Sequence, residues 1–275
     1  MKITALVENT SHKDMIGSEH GLSLLIETER KTLLLDTGAS DLFAHNAKTL
    51  GVDLNLVDLA ILSHGHYDHA GGIKTFFEHN DHAPLYVRQK AFGLHYSKTG
   101  PDEYKYIGID QDLLDSNRLV VTSPFTSLCP GHTLFSMASG NVLAPSDNKR
   151  LFCKENDQYT QDSFKHEQYI VIFKPGIRLL VSGCSHKGII NILQAYHDLW
   201  GDYPTHVIGG FHLYNHRTGE SEGPEVLATI ASELLASKAI FYTCHCTGED
   251  SFKALQMLMG DKIKYLAGGD ILQLP

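Results

Sequence analysis

The sequence predicts an α/β fold in which helices flank two mixed β-sheets, a four-layer αββα sandwich. Two observations lead to this prediction. In the second half of the chain, strand–loop–helix units repeat, and histidines lie at the carboxyl ends of the strands. In the first half, short apolar or alternating runs indicate strands, and one of them ends directly before a loop rich in His and Gly.

The predicted elements follow one another along the chain. Short apolar or alternating runs indicate strands, and longer periodic segments that follow a loop indicate helices. The predicted strands are residues 3–7, 22–27, 32–35, 57–62, 84–87, 169–173, 178–182, 205–210, 239–243 and 262–267. The predicted helices are residues 41–50, 72–79, 189–200, 224–236 and 249–259.

Residues 1–275 are predicted to form a single domain. Of the 275 residues, 42% are hydrophobic and 20% are charged, which is ordinary globular composition, and no linker rich in Pro, Gly and Ser divides them. Two polar stretches, near residues 97–118 and 138–166, are predicted to be irregular insertions. The tyrosines in or beside the first stretch are candidates for stacking on a flat heterocycle or for covering the core: Tyr96, Tyr104 and Tyr106.

Charge and cysteine content limit the partners and the location. The net charge of −9 would repel a polyanion, so nucleic-acid binding is not expected. Five cysteines lack the spacing of a disulfide framework. The sequence shows neither a signal peptide nor an apolar run of membrane-spanning length. We therefore expect a cytoplasmic protein that acts on a small molecule, without nucleic-acid or membrane partners.

The segment SHGHYDHAGG, residues 63–72, carries the strongest functional signal. Alternate residues of an extended segment point the same way, so His64 and His66 are predicted to serve one metal ion. Asp68 and His69 come where the chain turns toward a helix, and they are predicted to serve a neighbouring ion. Imidazole and carboxylate together suit Zn²⁺, Fe or Mn. A solvated polar loop is the alternative, but the flanking glycines, which let backbone come close, favour the metal site.

This motif resembles the His-x-His-x-Asp-His motif of the metallo-β-lactamase superfamily. The resemblance implies the αββα fold, a site for two divalent metal ions with zinc preferred over iron or manganese, and a supporting role for Asp36 in the segment LLLDTG. A strand-end aspartate that caps the next turn is the alternative for Asp36. His132, in the segment PGHT, matches the next hydrolase motif only in part, and we expect it to be an ordinary histidine. Cys184 stands where that motif series has a bridging aspartate.

Three later segments are similar to a narrower branch of the superfamily, which includes 7,8-dihydropterin-6-methyl-4-(β-D-ribofuranosyl)aminobenzene-5′-phosphate synthase. In order after the first motif they are GCSHKGIINIL, GGFHL and HCTGED, at residues 183–193, 209–213 and 245–250. His186 and His212 follow strand ends, and each is predicted to complete one metal shell. Capping of a helix is the alternative role for each.

His245 and Asp68 are the candidate catalytic residues. His245 is predicted to contact substrate or to act in acid–base chemistry, with metal ligation as the rival role. Ser185, Thr247 and Gly248 lie where helices begin, and free backbone amides at such positions favour a phosphate group. We therefore predict that these three residues bind substrate.

The cysteines are predicted to play smaller roles. Cys184 is a supporting residue, either a soft bridging ligand or a small buried side chain. Cys244 and Cys246 flank His245, and alternation along a strand would bury both on one face. They are predicted to lie outside the site.

These residues predict a dinuclear metal-dependent enzyme that acts on a small anionic, phosphorylated substrate. Hydrolysis of an ester, lactone or phosphoester is the generic outcome, whereas the branch resemblance implies loss of diphosphate from a dihydropterin-methyl donor as an amine attacks. A diiron oxidoreductase of the same fold is one alternative, but that type has glutamate where His66 stands. A non-catalytic metal-binding or sensor protein is the other, against which the complete ligand set argues.

Overall fold

The computed structural model describes residues 1–275 and contains the following elements. The helices are α1 (Leu42–Thr49), α2 (Tyr67–Ala70), α3 (Ile73–His79), α4 (Ile189–Trp200), α5 (Pro224–Ala236) and α6 (Glu249–Met259). The strands are β1 (Lys2–Val7), β2 (Ser23–Glu27), β3 (Thr32–Leu35), β4 (Leu59–Ile61), β5 (Leu85–Arg88), β6 (Leu94–Lys98), β7 (Tyr104–Tyr106), β8 (Leu119–Thr122), β9 (Phe125–Cys129), β10 (His132–Phe135), β11 (Leu151–Glu155), β12 (Gln158–Gln161), β13 (Tyr169–Lys174), β14 (Ile177–Val181), β15 (His206–Gly209), β16 (Tyr214–Asn215), β17 (Glu220–Ser221), β18 (Ile240–Thr243), β19 (Ile263–Tyr265) and β20 (Ile271–Gln273). None of the helices combines the length and the hydropathy that a membrane span requires.

The chain divides into two compact units. Unit 1 comprises Met1–Thr122, Leu151–His166 and Ala267–Pro275. Unit 2 comprises Ser123–Arg150 and Glu167–Leu266. Each unit is therefore assembled from segments that are separate in the sequence.

Unit 1 is built on a seven-stranded mixed sheet with the order β20-β1-β2-β3-β4-β5-β8. Neighbours from β20 to β3 are antiparallel, whereas β3, β4, β5 and β8 run parallel. Helices α1 and α3 cover one face, where Phe43, Ile73 and Phe76 share a buried cluster with Leu34 and Leu85 of the strands. Full burial of an Ile, Leu or Phe side chain stabilises a fold by about 1.5–3 kcal/mol. The parallel strands end at one edge of the sheet, and the histidine motif lies there.

Unit 2 is built on a second seven-stranded sheet with the order β19-β18-β15-β14-β13-β10-β9. Here β14, β15, β18 and β19 are parallel, and the other pairs are antiparallel. Helices α4, α5 and α6 cover one face, through a cluster that contains Ile192, Leu234 and Leu255 together with Val207 and Phe241. Because carboxyl ends of neighbouring parallel strands meet at one edge, the loops after β14, β15 and β18 are brought together.

Every strand and helix predicted from the sequence is present, with ends that differ by no more than two residues. The prediction of irregular structure near residues 97–118 and 138–166 does not hold throughout, because β6, β7, β11 and β12 form a four-stranded antiparallel sheet of unit 1. Strand β12 is exposed at every position, so it lacks the alternating pattern that marks a strand.

The tyrosines of this small sheet pair with one another. The rings of Tyr104 and Tyr159 are stacked with centroids 3.8 Å apart, and Tyr96 meets Tyr106 edge to face at 5.4 Å. Aromatic rings so engaged stabilise the sheet itself. The idea that Tyr96, Tyr104 and Tyr106 stack on a bound heterocycle therefore gains no support from their placement.

Candidate metal centre

The histidine motif of unit 1 lies directly after β4, at the carboxyl edge of the sheet. His64, His66, Asp68 and His69 are all buried, with at most 7% of any of them exposed. The Nε2 atom of His64 lies 3.0 Å from the Nδ1 atom of His66, so these two nitrogens converge on one point. On the other side, His69 Nε2 lies 3.8 Å from Asp68 Oδ2, which also contacts His20 Nε2 at 3.3 Å. The four side chains thus form one close group, in which the His64 ring centroid is 4.5 Å from that of His66 and 4.2 Å from that of His69, and their division between two ions stays a prediction.

Asp36, at the end of β3, fixes this loop. Its carboxylate accepts the backbone N–H of Ser63 at 2.7 Å and the Ser63 hydroxyl at 2.6 Å. The same carboxylate lies 2.6 Å from Nδ1 of His69, which must therefore carry the proton. This leaves the lone pair of His69 on Nε2, the nitrogen that faces Asp68. Such a carboxylate–histidine contact is the usual support of a metal-ligating imidazole.

The first histidine of the motif is oriented in the same way. The Ser63 hydroxyl gives its proton to Asp36 and lies 2.9 Å from His64 Nδ1, so it accepts the N–H of that nitrogen. The lone pair of His64 is then on Nε2, toward His66. Burial, followed by the neighbouring histidines, lowers the pKa of His64 well below its ordinary value. Burial also lowers the pKa of His66, so both rings are neutral, the state that binds metal.

Glycines let the motif loop pack closely. A Cβ on Gly65 would lie 2.2 Å from the carbonyl oxygen of Ala91, and one on Gly71 would lie 2.1 Å from that of Ala39. Both distances are far too short for any side chain. The two glycines of the motif therefore serve the close backbone approach expected from the sequence.

Cys184 lies at the centre of the candidate ligands of unit 2. Its sulfur lies within 4.8 Å of a ring nitrogen of His186, of His212 and of His245. The thiol of Cys246 joins the group formed by Cys184 and His212. These residues come from the loops after β14, β15 and β18, three neighbouring parallel strands. A set of imidazole and thiol groups suits Zn²⁺ and other borderline ions.

His212 gives the clearest sign of a missing ligand. Its side chain is about nine-tenths buried, and neither ring nitrogen has a hydrogen-bond partner. The nearest carboxylate oxygen, Asp147 Oδ2, is 3.7 Å from Nε2, which is too long for a hydrogen bond. Leaving a buried polar atom without a partner costs about 1–3 kcal/mol. A metal ion bound to one of the two ring nitrogens would remove this cost for that nitrogen, so the residues present fit a metal site.

His186 is held by a carboxylate that the sequence analysis missed. Glu167 is fully buried and accepts the backbone N–H groups of His186 and Lys187, at 2.6 and 3.0 Å, and the hydroxyl of Tyr169 at 2.5 Å. The amides of the first turn of the following helix were predicted to face an anion. Those of His186 and Lys187, directly before α4, donate to the protein's own carboxylate, and anion binding by the first turn of α4 stays a prediction. Nothing in the local sequence marks Glu167, which lies 19 residues from His186.

Two residues predicted to contact substrate have buried hydroxyls with internal partners. Ser185 Oγ lies 2.8 Å from Ser182 Oγ. Thr247 Oγ1 accepts the backbone N–H of Phe211 at 2.9 Å and lies 2.5 Å from Thr243 Oγ1. Both hydroxyls hold loops in place, and substrate binding by Ser185, Thr247 and Gly248 stays a prediction. Gly248, at φ 73°, begins α6, and a Cβ there would lie 2.5 Å from that of Tyr214.

Several strand-end residues adopt the left-handed backbone conformation. They are Asp36, Ser185, His212 and His245, with φ between 52° and 59°. Non-glycine residues in this region are uncommon, and they cluster at functional sites. His245 is fully buried in this conformation at the start of a short turn, where its ring lies beside Cys184.

Cys246 lies among the candidate ligands of unit 2, whereas His132 lies apart from them. Cys246 was predicted to pack outside it, but it lies on the turn after β18 within reach of Cys184 and His212, so that prediction was wrong. The predicted strand ends at Thr243, as observed, but the alternation of a strand was applied to Cys244 and Cys246 beyond its end, where the chain turns. His132 lies on β10, and its Nδ1 contacts the carbonyl of Pro130 at 3.3 Å, apart from every candidate ligand group.

Two mixed sheets with ligand-rich loops at their carboxyl edges define a metal-dependent α/β protein. The sequence profile of the metallo-beta-lactamase superfamily matches residues 16–139. The chain is also 30% identical, over 94% of its length and 90% of the relative's, to the 7,8-dihydropterin-6-methyl-4-(beta-D-ribofuranosyl)-aminobenzene-5′-phosphate synthase of Methanocaldococcus jannaschii. The chain therefore belongs to the metallo-β-lactamase superfamily, as the motif predicted.

Solved structures support the same assignment. The crystal structure of Tm1679, described as a metal-dependent hydrolase of the beta-lactamase superfamily, matches with a TM-score of 0.85 and 28% identity over 100% of this chain and 99% of that one. Zinc-bound PqqB from Methylobacterium extorquens matches with a TM-score of 0.60 and 13% identity over 100% of both chains, which concerns the fold alone. The predicted α/β fold is confirmed as the metallo-β-lactamase fold.

Proposed function

We propose that this chain is a cytoplasmic dinuclear metal-dependent enzyme that acts on a small anionic, phosphorylated substrate. The observation that carries the proposal is the state of His212. This imidazole is buried, belongs to the motif segment GGFHL, and has no hydrogen-bond partner for either ring nitrogen. The motif loop of unit 1 adds two imidazoles whose lone pairs are set by Ser63 and Asp36. No nucleic-acid or membrane partner is part of the proposal, since the net charge is −9.

The proposed ligands are the six residues that the sequence singles out: His64, His66, Asp68, His69, His186 and His212. Their nitrogen and oxygen donors, with the nearby thiols of Cys184 and Cys246, favour zinc, and iron or manganese are the alternatives. When bound there, a divalent ion would supply Lewis-acid chemistry: it would lower the pKa of a coordinated water from ~15.7 to about 7 and would bind a substrate oxygen.

The protein's own groups have defined tasks in this proposal. Asp36 and Ser63 hold the proton on Nδ1 of His69 and His64, so that Nε2 of each ring serves as ligand. Asp68 ligates as a carboxylate, and His245 moves a proton during the reaction. Because His245 is held in a left-handed turn directly after β18, its ring has a fixed direction.

A cavity of unit 2 is the candidate site for the substrate's polar end. It has a volume of about 160 Å³ and is lined by His212, Asp147, Asn215 and Glu222, among others. Arg150 neutralises Asp147 at 2.6 Å. Because the other charged lining residues, Glu220 and Glu222, are acidic and no Lys or Arg lines the cavity, an anionic substrate would need the charge of bound metal ions to enter. This favours a metal-clamped phosphate over a phosphate held by protein cations.

Two reactions fit these groups. The synthase name of the relative from M. jannaschii supports group transfer, in which an amine displaces diphosphate from a dihydropterin-methyl donor. The hydrolase name of Tm1679 supports attack by water on a phosphoester. Both need an anion clamp, and only the second needs a water nucleophile.

The test combines elemental analysis with activity measurements on zinc-reconstituted protein. The panel contains p-nitrophenyl phosphate, a phosphodiester, a lactone, and a dihydropterin-methyl diphosphate with an aromatic amine. We expect turnover of at least one phosphorylated compound by wild type. His69→Ala should lose that activity and lower the metal content, whereas the control His132→Ala, a buried histidine outside the ligand sets, should keep both.

The outcomes separate the alternatives. Amine-dependent turnover of the pterin compound supports a transferase, and amine-independent release of phosphate supports a hydrolase. A wild-type protein that binds metal and turns over nothing on the panel would establish the non-catalytic metal-binding protein instead. Unchanged metal content in His69→Ala would refute the ligand assignment.

A further inference from the structure

Unit 1 contains a second group of metal-binding side chains, of which only one belongs to the histidine motif. His95 lies on β6, Asp162 and His166 follow β12, and His66 comes from the motif loop. All four are buried, with at most 5% of any of them exposed. Each offers a ligand atom, and these atoms all lie within 4.8 Å of one another.

The distances within this group match those of a coordination shell. Asp162 Oδ2 lies 2.9 Å from His95 Nδ1 and 3.2 Å from His166 Nε2. A tetrahedral zinc ion with bonds of about 2.0–2.1 Å has ligand atoms about 3.3 Å apart. The Nε2 atom of His95 donates to the carbonyl of Lys90 at 3.1 Å, so its lone pair is on Nδ1, toward Asp162. The Nδ1 atom of His166 accepts the backbone N–H of Gly65 at 2.9 Å, so Nε2 carries the ring proton and would release it to solvent when it binds an ion.

His66 can serve this group without leaving the motif pair. Its Nδ1 lies 3.0 Å from His64 Nε2, and one of its ring nitrogens also lies within 4.8 Å of the ligand atoms of His95, Asp162 and His166. The His66 ring centroid is 5.8 Å from that of His95 and 5.4 Å from that of His166. An imidazole that binds an ion through each nitrogen must lose its remaining N–H proton, which would pass to solvent.

The negative charge of the buried Asp162 carboxylate also favours a bound cation. Asp162 is a buried carboxylate whose ion-pair partners are the two histidines, His95 and His166. Its other oxygen accepts the backbone N–H of Phe164 at 2.7 Å. A buried carboxylate is costly unless it is paired or bound to metal. A divalent ion would supply that charge without protonating a histidine.

An ion can reach the group through a cavity of unit 1. The cavity has a volume of about 210 Å³, and its lining includes His95, Asp162, His166 and Cys153. A water molecule occupies about 30 Å³ of liquid, so a hydrated ion fits. Burial raises the pKa of the Cys153 thiol well above its ordinary value, so Cys153 lines the route as a neutral group.

We propose that His95, Asp162 and His166, joined by His66, form a further site for one divalent metal ion such as Zn²⁺. The site is additional to the ligands of the proposed function and does not depend on it, because three of its four residues lie outside the superfamily motif. The small sheet that the sequence analysis missed builds this site, since β6 carries His95 and β12 leads into Asp162.

The first test counts metal ions per chain. Wild type, His95→Asn, Asp162→Asn and the control His132→Asn are saturated with zinc, passed over a desalting column and measured by elemental analysis. We expect His95→Asn and Asp162→Asn to hold one ion fewer than wild type and His132→Asn to match it. Equal metal content in all four proteins would overturn the proposal and leave a hydrogen-bonded cluster that only positions His66.

A second test uses wild-type protein alone, so its result does not depend on whether the variants fold. Crystals of wild-type protein soaked in zinc are measured on both sides of the zinc absorption edge. An anomalous peak between His95 Nδ1, Asp162 and His166 supports the site. Peaks only at other residues would overturn it. A peak here with none at His69 or His212 would overturn the dinuclear assignment while leaving this site intact.

Discussion

At the scale of single residues, Asp36 controls more of the motif loop than any of the ligands. Its carboxylate holds the backbone and the hydroxyl of Ser63 and sets the tautomer of His69. Its φ of 59° lies in the left-handed region, which Asp and Asn tolerate better than other non-glycine residues. Through these hydrogen bonds, a carboxylate at the end of β3 fixes the position of the loop after β4.

Asp36→Asn tests this role without changing the size or backbone preference of the side chain. An amide NH₂ replaces one accepting oxygen, so either Ser63 or His69 loses its partner. We expect zinc affinity to fall by roughly 10- to 100-fold, the usual effect of losing such a partner. Competition with a chromophoric chelator measures this affinity.

The matched control is Asp58→Asn. Asp58 is another carboxylate of unit 1 that accepts a backbone N–H, from Thr32 at 2.8 Å, but it contacts no candidate ligand. Its substitution should leave zinc affinity unchanged. Equal affinities for wild type and Asp36→Asn would contradict the assigned role.

At the scale of secondary-structure elements, the loop between β14 and α4 is supported by Glu167. Burial raises the pKa of Glu167, although its hydrogen bonds with Tyr169, Lys187 and His186 oppose the shift. The raised pKa means that ionisation of Glu167 weakens the fold. Its stabilising contribution is complete below the ordinary carboxyl pKa and is lost as the pH rises through the folded-state value.

Glu167→Gln should reduce the free energy of unfolding by about 1–3 kcal/mol, because the amide NH₂ cannot accept the bonds of both backbone N–H groups. The loss relative to wild type should be largest in mild acid and shrink as the pH rises. Urea unfolding of metal-free protein at several pH values measures both effects. The exposed Glu233→Gln on α5 should stay within about 0.5 kcal/mol of wild type. A pH-independent difference would show that the pKa of Glu167 is the same in the folded and unfolded protein.

The small sheet of β6, β7, β11 and β12 gains stability from its own aromatic rings. Tyr104 and Tyr159 are stacked at 3.8 Å with an angle of 5° between their planes. We expect a double-mutant cycle of Tyr104→Ala and Tyr159→Ala to give a coupling energy of about 0.5–1.5 kcal/mol. Thermal or urea unfolding of the four proteins provides the values. Additive effects would mean that the stack contributes nothing beyond the area it buries.

At the scale of the whole molecule, bound metal should stabilise the fold. A site filled at 100 times its Kd contributes about 2.7 kcal/mol. In a chain of this size, 1 kcal/mol corresponds to about 2–4 °C in Tm, so one occupied site raises Tm by roughly 5–10 °C. Differential scanning calorimetry of chelator-treated protein, with zinc or calcium added back, measures the shift. Zinc should restore Tm and calcium should not, because imidazole and thiol ligands do not suit calcium. Equal Tm values with and without zinc would argue against an occupied site.

The sequence predicted the fold and the first motif because both rest on local patterns. Periodicity located the strands and helices of the two large sheets, and residues 64–69 form a contiguous motif. The small sheet escaped prediction because it lies in two polar stretches, its strand β12 is exposed at every position, and β6 pairs with β11 across more than fifty residues. Glu167, His95 and Asp162 were not predicted for a similar reason. Each has its role through contacts with residues that are distant in the sequence, and no local pattern indicates such contacts.

The pairing of β1 with β20 bears on how the protein is made. β20 pairs through Gln273, Leu272 and Ile271 with Lys2, Ile3 and Thr4 of β1. On the ribosome, β1 therefore emerges long before its partner β20, and this edge of β1 stays open until β20 is made. Open strand edges invite pairing with other chains. Loss of the final few residues should thus appear first as aggregation of the nascent chain, while every candidate metal ligand is still present.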